Sequence, residues 1–183
     1  SFVHVFCVAA GAMISSGIFI LPGLAFAHAG PAVIVSYALA GLLALMLFLF
    51  FFRDPPRHAE AGPEVVLSPA DGRVADVGAA AFPDGTAALR VAVVMHLGDV
   101  HVQRVPCDGE LVRCAWRPGT HAPIPSQRAD RGNERLVHEF RRGAGRFAVA
   151  QIAGLVARRS RSWLEPGAHY DRGERLGVIL FGS

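Results

Sequence analysis

The chain has 183 residues, enough for one modest domain and an anchor. Its 18 basic and 15 acidic residues give a net charge of +3, and all of them lie beyond Phe52. Every basic residue is arginine. The absence of lysine excludes from these residues a pyridoxal phosphate site, a biotin or lipoyl attachment point and a phosphate-binding Walker loop.

In chain order, Phe2 to Phe52 is apolar almost throughout, broken at Ala27-His28-Ala29-Gly30-Pro31. A bilayer-spanning helix needs about 20 apolar residues. Two fit, Val3–Phe26 and Ala32–Phe52, with the Gly-Pro step as the turn, so an α-helical transmembrane hairpin is expected. A signal peptide would have a basic start and a shorter apolar core. Arg53 and Arg57 follow directly, which places the rest of the chain on the cytoplasmic side of an inner membrane, with Ser1 on the same side. Residues 1–52 then form the anchor. Residues 53–63, with Pro55, Pro56 and Pro63, form a linker, and residues 64–183 form the soluble domain.

Beyond the linker, short β-rich runs alternate with turn signals. Strands are expected at Val65–Leu67, Arg90–Met95, Val100–Val105, Glu110–Trp116, Leu136–Phe140, Arg146–Ile152 and Leu176–Phe181. Pro83-Asp84-Gly85, Asp108-Gly109 and Asp171-Arg172-Gly173 punctuate them. The pattern predicts an all-β domain, a barrel or a sandwich. Pro118 to Asn133 lacks periodicity and reads as a long loop. Cys7, Cys107 and Cys114 are odd in number and form no CxxC pair, which points to reduced thiols rather than a disulfide framework or structural zinc.

Five stretches carry a family resemblance: FFRDPPR from Phe51, SPADGRV from Ser68, DVHVQRVPCDGEL from Asp99, QIAGLVARR from Gln151 and LGVILFGS from Leu176. In this order they resemble phosphatidylserine decarboxylase, in its short, archaeal-type branch. Gly132-Asn133-Glu134-Arg135 is similar to that branch's Asn-Glu-Arg signature, and the likeness covers Met46 to Ser183. It implies a proenzyme that splits between Gly182 and Ser183. The serine hydroxyl attacks the preceding carbonyl, elimination from the resulting ester leaves dehydroalanine, and water converts that end to a pyruvoyl group. That carbonyl captures the amine of phosphatidylserine, or of archaetidylserine, and drains electrons from the bond to the departing carboxylate. Glycine beside the scissile carbonyl removes side-chain bulk. The family continues past the serine as a small pyruvoyl-bearing subunit, so these residues are expected to be a large-subunit domain ending at the cleavage serine.

The resemblance also assigns roles. Histidine titrates near neutral pH, and His101 is expected to relay or donate protons. Asp71, in a Pro-Ala-Asp-Gly turn that alone would be ordinary turn chemistry, is expected to orient it. Arg104 stands where long-form relatives carry a second histidine, so His101 is left to serve both self-cleavage and decarboxylation. Arg104, Arg158 and Arg159, with Arg161 nearby, are candidates for the substrate phosphate or the anionic bilayer. His96, His121 and His138 do not have ligand spacing, and no metal is expected. The implied partners are a phospholipid, the membrane and the small subunit, with no nucleic acid.

Residues 9–45, including GAMISSGIF from Gly11, resemble the first two membrane helices of an amino-acid permease. Two helices cannot form an alternating-access transporter, so the role left for the segment is anchoring. The alternatives are a membrane-tethered permease fragment or interaction module without catalysis, and a pyruvoyl decarboxylase acting on a soluble amino acid.

Overall fold

In the computed structural model, residues 21–57, 62, 64–124 and 126–181 are described. The apolar stretch folds as its punctuation dictates. Residues 21–29 are helical, and Gly30 closes that helix at φ +57°, with its N–H donating to the Phe26 carbonyl at 2.7 Å. A left-handed terminal glycine followed by proline is a standard stop and restart. Helix α1, Ala32–Phe51, then runs for 20 residues with mean hydropathy 2.6 and no charged side chain, long and apolar enough to cross a bilayer. It ends one residue before the expected boundary. Most of the expected first span, Val3–Phe26, lies outside the described residues.

The chain divides into two units, residues 1–49 and 50–183. The second is built on antiparallel strands: β1 Arg73–Ala81, β2 Ala87–Val94, β3 Val102–Arg104, β4 Gly109–Arg117, β5 Arg135–Arg142, β6 Gly145–Ile152, β7 Ala157–Ser162, β8 His169–Tyr170 and β9 Arg175–Phe181. They form a β1–β2 hairpin, a three-stranded sheet ordered β3-β9-β7 and a four-stranded sheet ordered β6-β5-β4-β8. A short helix α2, Gln127–Gly132, interrupts the long loop, its first turn capped by Ser126 Oγ accepting from the Ala129 N–H at 3.1 Å.

The all-β expectation holds for the second unit. Strand β5 shows why: Leu136, His138 and Phe140 point inward and are buried, and the residues between them are less so. Leu111 of β4, Phe140 of β5, Val149 of β6 and Leu176 of β9 share one core with Val105 and Leu164, so the two larger sheets pack face to face. Among the described residues they remain separate ladders, closer to an open half-barrel than to a closed one.

Three strands escape the sequence reading. The Ala-rich β1 has little intrinsic strand preference and forms by pairing with β2 around the Pro83-Asp84-Gly85 turn, where Gly85 takes φ +84°. Strand β7 is a polar ARRSRS run held by its ladder to β9, and β8 has only two residues. The expected strand at Val65–Leu67 does not form. Val65 N–H turns back to the Gly62 carbonyl at 3.1 Å, Leu67 N–H meets the Pro106 carbonyl at 2.9 Å, and Pro69 follows without a donor. Val100–Val105 shortens to β3, ahead of Pro106.

Candidate active site

Strand β9 lies between β3 and β7 and leads to the last two residues of the sequence. Its ladder to β3 pairs Val178 with Val102, and Ile179 N–H reaches the His101 carbonyl at 3.3 Å. His101 is therefore fixed beside the final turns of β9. It is 4% exposed. Its Nδ1 lies 2.9 Å from the Asp99 carbonyl oxygen. A carbonyl only accepts, so Nδ1 carries the ring proton and Nε2 keeps a lone pair. Burial pushes the imidazole below its ordinary titration range. The Asp99 backbone and charge oppose that, and the Arg53 guanidinium adds to it. Burial therefore favours the uncharged form of the ring.

An aromatic stack completes the surroundings. The Phe51 ring lies 3.8 Å from the His101 ring, centroid to centroid, and 3.8 Å from that of Phe181. Below it, Val100, Val102 and Val178 form an apolar cluster with Phe52 and Leu180. A pocket of about 560 Å³ opens beside this cluster, lined by Phe52, Asp54, Val102, Trp163 and Arg175.

Asp71 sits in the turn ahead of β1. Gly72 there takes φ +146°, and an added Cβ would lie 2.3 Å from the Val94 carbonyl, so glycine is required. The Pro69 carbonyl accepts from Arg104 N–H at 2.9 Å, which lays the turn against β3. The Asp71 carboxylate pairs with Arg57, and both side chains are partly exposed. The Nδ1 contact of His101 is with the Asp99 backbone, not with this carboxylate.

Arg104 is engaged by Asp54 at 2.5 Å and by the Gly173 carbonyl at 2.9 Å. Asp54 also takes Arg175 at 2.5 Å and is only 17% exposed. Arg158 is the extra residue of a bulge opposite the end of β9, where Ala157 pairs with Phe181 and Arg159 with Leu180. Its Nε donates to the Leu155 carbonyl at 2.9 Å. Arg159 and Arg161 are exposed. Gly182 and Ser183 lie outside the described residues.

His96, His121 and His138 do not converge, and no cluster of metal-ligating side chains forms among the described residues. His96 faces Asp99, His121 faces Glu134 at 3.9 Å, and His138 is wholly buried in β5. The Asn-Glu-Arg signature resolves into a brace. Asn133 is 1% exposed, and its Nδ2 donates to the Ala122 and Ala153 carbonyls at 2.9 and 2.7 Å. Its Oδ1 accepts from Ala122 N–H at 2.8 Å and from Thr120 Oγ1 at 3.0 Å. Two residues escaped the sequence reading, Phe51 and Asp54. Both lie in the FFRDPPR stretch, but hydropathy shows Phe51 only as part of the apolar run that ends at Phe52. Asp54 reads as linker polarity.

The family model for phosphatidylserine decarboxylase matches residues 45–183. The chain is similar to the phosphatidylserine decarboxylase proenzyme of Beijerinckia indica, with 41% identity over 148 residues, 78% of this chain and 64% of that one. It is also similar to those of Paramagnetospirillum magneticum, 41% over 150 residues covering 79% and 62%, and Xanthobacter autotrophicus, 40% over 138 residues covering 73% and 59%. The chain thus spans about three-fifths of the length of the curated relatives it matches. With the family model covering most of its residues, the chain belongs to the phosphatidylserine decarboxylase family.

Proposed function

We propose that this chain is the large-subunit part of a self-processing decarboxylase that converts phosphatidylserine, or archaetidylserine, to the corresponding ethanolamine lipid. The observation that carries the reading is the placement of a buried His101 beside the end of β9, the strand that leads to Gly182-Ser183. In this reading Nε2 of His101 takes the proton of the Ser183 hydroxyl. The serine oxygen attacks the Gly182 carbonyl, the amide nitrogen leaves, and the peptide becomes an ester. Loss of the serine α-proton then expels the carboxylate of Gly182 and leaves dehydroalanine, whose imine tautomer is hydrolysed by water to the keto end with release of ammonia. The resulting residue 183 heads a second, smaller polypeptide, the partner of this one.

The residues present fit a pyruvoyl group. A buried base stands at the strand end, and the neighbouring rings of Phe51 and Phe181 are apolar and exclude water from that side. Such a group supplies a carbonyl that condenses with the substrate amine and accepts electrons as carbon dioxide departs. The chain's own part is to bind and to manage protons. His101 returns a proton after decarboxylation. Asp71, on the turn bonded to β3, biases the electrostatics of that strand. Arg104, Arg158 and Arg159 lie around β3 and the end of β9, and they attract the phosphodiester. The open pocket beside Val102 joins apolar Phe52 and Trp163 to charged Asp54 and Arg175, a mixture suited to a lipid headgroup and its glycerol.

Residues 1–52 serve as anchor, as a two-helix hairpin, and residues 53–63 as linker to the catalytic domain of 64–183 on the cytoplasmic side. The apolar α1 followed by Arg53 and Arg57 supports that orientation. The test is the intact mass of the gene product expressed from its complete reading frame, with and without Ser183→Ala. The expected result is a wild-type product split between Gly182 and Ser183 that traps phosphatidylserine on borohydride reduction, and a variant that stays whole. A wild-type product that remains in one piece, with Ser183 unmodified, refutes the proposal.

A further inference from the structure

The base in this site is held by something the reaction scheme does not name. Among the described residues of helix α1 the side chains are exposed or half-buried, and only the last, Phe51, is buried, at 0% exposed. That ring stacks on His101 at 3.8 Å with 28° between planes, and on its other side meets Phe181 at 3.8 Å and 31°. Phe52 closes the edge of Phe51 at 4.9 Å and 77°. A single hydrogen bond, Nδ1 to the Asp99 carbonyl, restrains the imidazole at one edge only. A stacked ring fixes the plane. It also replaces water along one face, where hydration would favour the charged imidazolium.

We propose that Phe51 is a positioning residue for His101, so that the last turn of the apolar helix is part of the reaction centre as well as an attachment. The proposal rests on the reading of His101 as the base. The same ring touches the base and Phe181, the residue before Gly182, so it sets the base and the strand end against each other. The charged groups facing His101 are Asp99, from its own segment, and Arg53, from the helix exit. Arg53 is itself fixed by the Phe50 and Gly98 carbonyls at 2.8 and 2.7 Å. Strand β9 brings the uncharged Phe181 to the stack.

The experiment uses the complete gene product in detergent, comparing Phe51→Ala and Phe51→Leu with Phe48→Leu, a change on the exposed part of the helix. Two quantities are read: the rate of self-cleavage, and the titration of the His101 ring by NMR, assigned by its loss in His101→Gln. Phe51→Ala is expected to slow cleavage about 10- to 100-fold and to raise the His101 midpoint toward the ordinary histidine value of about 6.5. Phe51→Leu, which keeps apolar bulk and the fold, is expected to move both in the same direction, and Phe48→Leu to move neither. Unchanged cleavage and an unchanged titration in Phe51→Leu overturn the proposal. If His101→Gln cleaves normally, the base assignment fails instead, and the titration alone then decides whether Phe51 sets the imidazole.

Discussion

Gly177 sits at the middle of β9, paired with Gln103 of β3 on one side and Ser162 of β7 on the other. A Cβ added there would lie 2.1 Å from the Arg161 carbonyl oxygen and 3.1 Å from Gln151 Nε2. The first contact is with backbone inside a ladder, so it is relieved only by parting β7 from β9. Overpacking of a rigid site, together with a strained or lost ladder hydrogen bond, costs roughly 2–4 kcal/mol. At this size each kcal/mol moves the unfolding midpoint by about 2–4 °C, so Gly177→Ala should lower it by about 5–15 °C. Gly143→Ala is the comparison. Gly143 takes φ +56° with nothing within 4 Å of an added Cβ, so only the left-handed backbone is penalised. That costs about 1–2 kcal/mol, or about 2–8 °C. Thermal unfolding followed by tryptophan fluorescence reports the second unit, because both tryptophans, Trp116 and Trp163, lie in it. A Gly177→Ala midpoint no lower than that of Gly143→Ala refutes the account of β9 as a strand clamped on both sides. Since β9 also presents Phe181 to the aromatic stack, self-cleavage should slow in Gly177→Ala and stay normal in Gly143→Ala.

Asn133→Ala removes four hydrogen bonds at a buried site and should cost about 2–4 kcal/mol. Limited proteolysis should find new cuts between residues 118 and 132, and a digestion pattern identical to wild type would contradict the brace. Burial depresses both His101 and His138, so below pH about 6.5 the unfolded chain binds protons that the folded chain refuses. Stability is therefore full above that pH and is lost as pH falls through the folded-state midpoints. The denaturant midpoint should be lower at pH 5.5 than at pH 7.5, and His138→Phe should flatten the difference. An equally steep dependence in that variant would show that His138 does not contribute. Asp54→Asn leaves the mostly buried Arg104 without its counter-charge, frees the more exposed Arg175, and should destabilise by about 1–3 kcal/mol. The loss should change little between low and high salt, and a loss that vanishes in high salt would mark the pair as a surface contact.

What could be read from the sequence followed the physical strength of each signal. Strand β5 was legible because inward Leu136 and Phe140 alternate with outward residues, and β9 because its whole run is apolar. Strands β1 and β7 were not. An Ala-rich and an Arg-Ser-rich segment owe their extended form to a partner strand distant in sequence or across a turn, and local composition carries no trace of it. His101 was found through its motif, since a buried histidine in a strand has no local mark of function. His138 is buried in the same way, in a core position of β5. The environment of His101 was invisible for a further reason. Its partner ring belongs to a run of leucines and phenylalanines whose hydropathy already had a sufficient explanation in the membrane.

That run and the residues after it form one device. Phe51 enters the aromatic stack, Phe52 enters the cluster with Val102 and Val178, Arg53 ties to the Gly98 carbonyl, and Asp54 joins Arg104 to Arg175. Four consecutive side chains thus fasten the helix exit to β3, to β9 and to the loop ahead of His101. A flexible tether would need none of these contacts, since holding an enzyme near its lipid requires only a long enough linker. The cost of ordering four residues, about 1–2 kcal/mol each in backbone entropy, is offset only if the exit segment has a fixed place in the folded unit. The segment that leaves the apolar helix is therefore structural material of the second unit, and replacing the helix by another scaffold should preserve that unit's stability only when the graft is made before Phe51.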